Sequence, residues 1–403
     1  MKRRDDYPER TIITTWQISF DEVERRDIAA AKLLRLWGYL DNQELWYQLL
    51  WRPRRGEAGP DWLRHITATE ITFLAAVGTL SDFSLIEQND NSETYSMHAV
   101  VHDWIQASIN TRKDDSLLQT AIISLGRAVP RKNARDSTTI QRRLLPHLIQ
   151  LLQYWSCVTE VHDYVNNAAY LHSLHMLGNL CADQGKPAEA EKMYQWALQR
   201  NEKGWGPEHI LTLNTVHDLG NFYTSQGELD EAEKMYQRAL QGYEKAWGPG
   251  HTLTLNTVHG LGILCASQGK LEEAEKMYQR ALQGIEKGWG PEHTLTLDTV
   301  YSLGFLRTIQ GKLDEAEKMY QRALQGYQNA MGADNTMTNL WALNTIWGLG
   351  SLFERQADLA KAKIMYSKAL VGYEKVVGPG HLRSRSLRDK LRALDTRTES
   401  RGP

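Results

Sequence analysis

From about residue 170 onward, apolar, small and charged positions return on a fixed beat. The segments EAEKMYQWALQRNEK (Glu189–Lys203), EAEKMYQRALQGYEK (Glu231–Lys245), EAEKMYQRALQGIEK (Glu273–Lys287) and EAEKMYQRALQGYQN (Glu315–Asn329) each begin 42 residues after the one before. A fifth, degenerate copy, KAKIMYSKALVGYEK (Lys361–Lys375), follows 46 residues on, with the extra residues in MGADNTMTNLWALNT between helix pairs. Gly178, Gly220, Gly262, Gly304 and Gly350 keep the same beat. So do Ala190, Ala232, Ala274, Ala316 and Ala362, the tyrosines Tyr194, Tyr236, Tyr278, Tyr320 and Tyr366, and Ala197, Ala239, Ala281, Ala323 and Ala369. Apolar residues three and four apart predict helices. The small residues predict two antiparallel helices in close approach, with the Tyr and Leu side chains filling the space between pairs. Turns such as Gln226-Gly227 and Gly269-Lys270 break each pair, as glycine does past a helix end. One pair cannot bury its own apolar face whereas a stack can. The pattern therefore predicts a mainly α fold, an α-solenoid of five helix pairs over residues 161–382.

Residues 11–110 lack this period. Phe20–Leu40 reads as one amphipathic helix, with Val23, Ile28, Leu33, Leu34, Trp37 and Leu40 at helical spacing. Glu44–Trp51 and Ala68–Val77 predict two more short helices. Phe83–Glu87 and Glu93–His98, separated by QNDNS, predict a β-hairpin, and Val100–Ile109 returns to helix. Three helices, a hairpin and a closing helix make a winged-helix arrangement. Residues 111–160 carry two predicted helices, Ser116–Ala128 and Thr138–Tyr154, and form a helical adapter expected to dock the first repeat against the winged helix. Residues 1–10 are expected to be disordered. Residues 383–403 are expected to hold a capping helix, Ser386–Leu394, and a disordered end.

Charge and chemistry narrow the function. The 403 residues carry 47 basic and 49 acidic side chains, a formal net charge of −2, which argues against a dedicated nucleic-acid binder. The third predicted helix of the winged-helix region, TATEITFLAAVGTL, has no Lys or Arg for base readout. Cys157, Cys181 and Cys265 show no CxxC spacing, so neither a disulfide framework nor a zinc site is expected. With no secretory signal and no run of about 20 apolar residues, the expected location is cytoplasmic, without membrane contact. Gly269-Lys270 and Gly311-Lys312 sit in repeat turns and are not part of a GxxxxGK[ST] loop. His209, His251 and His293 recur because the repeats do, each at the start of a first helix, and read as structural. No HExxH, GxSxG or GxGxxG is present, and neither a cofactor nor an enzymatic activity is expected.

The repeat residues resemble the tetratricopeptide repeat, with Leu and Gly at its seventh and eighth positions and Ala, an aromatic and Ala at its twentieth, twenty-fourth and twenty-seventh. The resemblance covers about Val161–Leu394 and implies a right-handed solenoid. The 42-residue unit and the linker GPEHTLTL (Gly290–Leu297) are similar to the kinesin light chain subclass. YSMHAVVHDW (Tyr95–Trp104) resembles the Met-His-Asp motif that closes the winged helix of nucleotide-binding STAND receptors, with Ala99 in place of Asp. TTWQISFDEV (Thr14–Val23) and the AAAKLLRLWGYLD that follows are similar to the same region of fungal NOD-like receptors. Those receptors carry a nucleotide-binding domain ahead of this region, which is not in this sequence. Met97 and His98 are therefore expected to be a vestige of the nucleotide-contact motif, with the histidine packed against the first helix. The resemblance implies a sensing module that binds a protein or peptide ligand. The alternatives are a kinesin-light-chain-like cargo adapter and a truncated receptor product without independent function.

In tetratricopeptide folds, the second, fifth, ninth, twelfth and thirteenth positions of each first helix face the concave groove. Here the groove candidates are His172, His175 and Asn179, then Asn214, His217 and Asn221, then Asn256 and His259, then Asp298, Tyr301 and Phe305, and Trp347. Thirteenth-position residues Asp183, Ser225, Ser267, Ile309 and Arg355 face the same way. The first helices of copies one to three have no Lys or Arg on this face, which excludes a carboxylate clamp and suits an uncharged or mildly acidic peptide. Histidines at the fifth position predict a pH-sensitive groove.

Overall fold

The computed structural model describes residues 7–50, 59–90, 93–111, 114–130, 137–154 and 168–399. Those within 1–132 and 139–205 form one compact unit, and those within 133–138 and 206–403 a second. Of the N-terminus expected to be disordered, residues 1–6 lie outside the described residues and residues 7–10 are instead the first turn of a helix; the C-terminal end beyond residue 399 lies outside the described residues.

The first unit opens with α1 (Tyr7–Arg26) and α2 (Ile28–Trp37). The single helix expected over residues 20–40 is two. Asp27 Oδ1 accepts from the N–H groups of Ala29 and Ala30 at 2.9 and 3.0 Å, so its side chain starts a new helix inside an unbroken apolar pattern. The helix expected at Glu44–Trp51 is instead strand β1 (Leu45–Trp46), followed by a short 3-10 turn over Tyr47–Leu49. Next come α3 (Asp61–Thr67), which the pattern did not predict, and α4 (Glu70–Asp82), begun by a capping box between Thr69 and Thr72. The hairpin strands are β2 (Glu87–Gln88) and β3 (Thr94–Ser96), and α5 (Ala99–Thr111) follows. Phe83, expected to open the first hairpin strand, is the C-cap of α4. β3 pairs antiparallel with both other strands, Tyr95 lying opposite Leu45 and Gln88, in the order β1-β3-β2. Helix, strand, two helices, hairpin and helix follow one another in the order expected of a winged-helix arrangement. Its core holds the rings of Trp37, Phe73 and Tyr95, with centroids 5.9–6.5 Å apart.

Helices α6 (Asp115–Ala128) and α7 (Ser137–Leu152) precede the first repeat pair, α8 (Ala168–Asp183) and α9 (Pro187–Trp205), in the same unit. A Cβ at Gly126 would lie 2.4 Å from that of Ser173, so α6 meets α8 at backbone distance.

The second unit contains four helix pairs: α10 (Ile210–Gln226) with α11 (Leu229–Trp247), α12 (Thr252–Ser267) with α13 (Leu271–Trp289), α14 (Thr294–Ile309) with α15 (Leu313–Met331), and α17 (Leu340–Arg355) with α18 (Leu359–Val376). The four-residue turn α16 (Ala333–Thr336) occupies the stretch that lengthens the last spacing. Terminal α19 runs Leu382–Glu399, longer at both ends than the expected capping helix. Leu387 and Leu394 bury it in the cluster around Tyr366 and Tyr373. The glycine beat has a steric cause: a Cβ on Gly262 would stand 2.6 Å from the Tyr278 ring, so only glycine lets the paired helix's tyrosine lie flat on its backbone.

Candidate functional site

The recurring histidines begin the first helices. His209 Nδ1 accepts from Leu211 N–H and His251 Nδ1 from Leu253 N–H, both at 3.3 Å, so these rings act as N-caps. Trp247 and Trp289 lie against His251 and His293 at 5.2 and 5.1 Å. Among the described residues, no group of three His, Cys, Asp or Glu side chains is placed to hold a metal.

Most of the second-position row is engaged with tyrosines of the second helices. Asn214 Oδ1 accepts from Tyr243 Oη at 2.6 Å, Asp298 Oδ1 from Tyr327, and Asn344 Oδ1 from Tyr373. In the third pair, Ile285 stands where the tyrosine would, and Asn256 Nδ2 lies 3.1 Å from His217 Nε2 instead. In the first pair, His172 is exposed, its ring 6.5 Å from that of His175.

The fifth-position row is largely closed. His217 and His259 are buried; Thr257 Oγ1 lies 3.1 Å from His217 Nδ1 and Ser302 Oγ 2.9 Å from His259 Nε2. Each ring is thus spent on the next first helix. Burial, and secondarily the His217 charge, push the His259 pKa down to about 4. His259 is therefore neutral throughout the range in which pH sensing was expected of it. Asp298 is the group that moves toward neutrality: burial raises its carboxyl to about 7, against the opposing hydrogen bond from Tyr327. His175 and Trp347 are half-buried, edge-on to Tyr194 and Tyr373. Tyr301 is half-buried beside Trp341, 5.7 Å away, and His259 is 6.3 Å from the same indole. Trp341 was missed because it falls in the stretch assigned to the interval between pairs. Its signal was the tryptophan at the position of Leu211, Leu253 and Leu295.

The ninth and thirteenth positions remain open. Asn179 and Asn221 accept from Tyr194 and Tyr236 Oη, each at 2.8 Å, and Asn221 is exposed. Phe305 is 48% and Ile309 42% exposed, although both are large and apolar. Half-buried Ile263 and exposed Ser225, Ser267 and Arg355 occupy the equivalent places. Four-residue spacing puts positions nine and thirteen on one side of each helix.

In the first unit, Met97 is fully buried, its backbone bonded both ways to Asn42. His98 is exposed, not packed on α1, and its Nδ1 accepts from Val100 N–H at 3.3 Å, turning the ring onto the start of α5. The outward side of α4 is apolar, with Ile71 78% exposed and Leu74, Ala75 and Gly78 beside it.

Stacked antiparallel helix pairs with an open stripe on their first helices define a helical-repeat protein. The particular repeat is the tetratricopeptide: a tetratricopeptide-repeat profile matches residues 210–287 and 294–370, and a second matches residues 171–211. The chain therefore carries tetratricopeptide repeats, here with a 42-residue unit. Residues 21–114 match a domain of unknown function, DUF7779. Among solved structures, the chain is similar to NprR in complex with its cognate peptide NprX (17% identity, TM-score 0.51, covering 73% of this chain and 76% of that chain). It is similar too to BtubC from P. vanneervenii (22% identity, TM-score 0.43, 66% and 93%). A third is the STAND protein with a tetratricopeptide repeat sensor from Pyrococcus horikoshii (15% identity, TM-score 0.43, 90% and 52%). At these identities the likeness is one of fold. No curated protein sequence matches the chain. No described helix is long and apolar enough to cross a membrane.

Proposed function

We propose that this chain is a non-enzymatic interaction module, and that the first helices of the second unit hold a peptide or partner protein along the stripe through Asn221, Ile263, Phe305 and Ile309. The observation that carries the reading is the exposure of Phe305 and Ile309 on one side of α14, where the other large apolar inward side chains, Ile263, Tyr301 and Trp347, are half-buried. A neutral stripe of Asn, Ser and apolar groups suits an uncharged or mildly acidic segment with apolar side chains. His217, His259 and Asp298 support the stripe from beneath. The complex of NprR with its peptide is consistent with this use of the fold. The winged-helix arrangement ahead of the repeats favours a receptor-type setting, as in the fungal NOD-like receptors, in which repeats sense and another domain switches. Cargo adaptation of the kinesin-light-chain kind is the second reading, favoured by the 42-residue unit. In domain terms the proposal assigns residues 11–110 to the winged helix, 111–160 to the adapter and 161–382 to the repeats.

The test is capture of partners from lysate of the source cells by the wild-type chain and by Phe305→Ser/Ile309→Ser. Truncating two central apolar anchors is expected to lower partner affinity by at least about tenfold, with thermal melting changed little because both side chains are already about half solvated. Equal capture by the two proteins contradicts the assignment.

A further inference from the structure

The repeats are near-copies, so a departure in one of them is informative. In the second pair, loop residue Glu208 accepts from Lys245 Nζ through both carboxylate oxygens, at 2.6 and 2.8 Å. In the fourth pair, the equivalent Glu292 accepts from Asn329 Nδ2 at 2.8 Å. In the third pair the loop residue is Gly250 and the helix residue Lys287, so the carboxylate is missing and the ammonium remains. Lys287 makes no ion pair among the described residues.

At this place a shallow cleft of about 570 Å³ opens, lined by Pro249, Gly250, Lys276, Arg280, Gln283 and Lys287 among others, with no carboxylate among the described lining residues. Lys276, Arg280, Gln283 and Lys287 fall at i, i+4, i+7 and i+11 on α13, one side of the helix and about 16 Å of its length. Glu244 holds Arg280 at 2.5 Å, while Lys276 and Lys287 are exposed and unpaired among the described residues.

We propose that this cleft binds an extended acidic peptide segment, one of whose carboxylates takes on Lys287 the place that Glu208 takes on Lys245. The internal precedent fixes the ligand group: the same lysine, one repeat earlier, holds a carboxylate by both oxygens. The length of the cationic row matches about five extended residues at roughly 3.3 Å each. The site lies on a second helix, away from Phe305 and Ile309, and is independent of the stripe on the first helices.

The chain supplies its own blocking variant. A side chain at Gly250 meets nothing within 4 Å and needs no left-handed backbone, so Gly250→Glu restores the loop carboxylate without strain. The probe is fluorescein-labelled hexaglutamate, followed by anisotropy at low ionic strength. Saturable binding by the wild type is expected, weakened about tenfold or more by Gly250→Glu and by Lys287→Gln, and weakened by added salt. Unchanged melting of both variants assigns the loss to the site and not to unfolding, and Phe305→Ser/Ile309→Ser is expected to bind the probe as the wild type does. Absence of saturable binding, or equal affinity of the wild type and Gly250→Glu, overturns the proposal. Displacement of the probe by inorganic phosphate, where chloride of equal ionic strength does not displace it, overturns the peptide assignment in favour of a small-anion site.

Discussion

At the second position of the first helices of the second unit, Asn214, Asn256, Asp298 and Asn344 occupy equivalent places, and of these only Asp298 can ionise. It is buried, with Tyr327 donating to it, and one such bond does not replace the water a carboxylate loses, so its pKa rises to about 7. The folded-state value lies above the unfolded value of about 3.9. The stability this group contributes is therefore complete below about pH 4 and is lost as pH rises through about 7. Asp298→Asn keeps an acceptor for Tyr327 and removes the charge. In urea unfolding, the variant is expected to be the more stable, by a margin that widens between about pH 5 and about pH 8. A margin that stays constant across that range contradicts this account of Asp298. His259 acts in the opposite sense: its folded value of about 4 lies below the unfolded value of about 6.5, so its contribution is complete above about pH 7 and is lost as pH falls toward 4, equally in the wild type and in Asp298→Asn.

Among the elements, the turns show what the repeats require. Gly185, Gly227, Gly269 and Gly311 all close their first helices at positive φ, and in the fifth pair Ala357 takes the same conformation at φ 63°. An L-residue with a Cβ holds that backbone at a cost of about 1 kcal/mol. Ala357→Gly is expected to stabilise the second unit by about that amount, less the added freedom of glycine in the unfolded chain, measured as a raised melting temperature. A lowered melting temperature contradicts the strain. The periodic elements were legible in the sequence because tyrosine, alanine and glycine recur where helices touch. The winged-helix elements were less so, each for a local reason. Asp27 caps a helix inside an apolar run that looks continuous, and Leu45–Trp46 becomes a strand because it pairs with Thr94–Tyr95, about fifty residues away.

For the molecule as a whole, the candidate site was half legible. Helical spacing placed the candidates on one side of each first helix. It did not reveal that tyrosines 29 residues downstream occupy most of the second-position row, or that His217 and His259 reach forward to the next first helix. Those bonds join residues on different helices, and no single-helix pattern encodes them. In the second unit the ninth and thirteenth positions are half-buried or exposed, and the interaction stripe rests on them. The most direct test is hydrogen exchange of the full chain with and without a captured partner. Slowed exchange is expected in α12 and α14, around Ile263, Phe305 and Ile309, with exchange in α1–α5 unchanged. Slowed exchange confined to α1–α5, with α10, α12, α14 and α17 unaffected, contradicts the stripe as the working site.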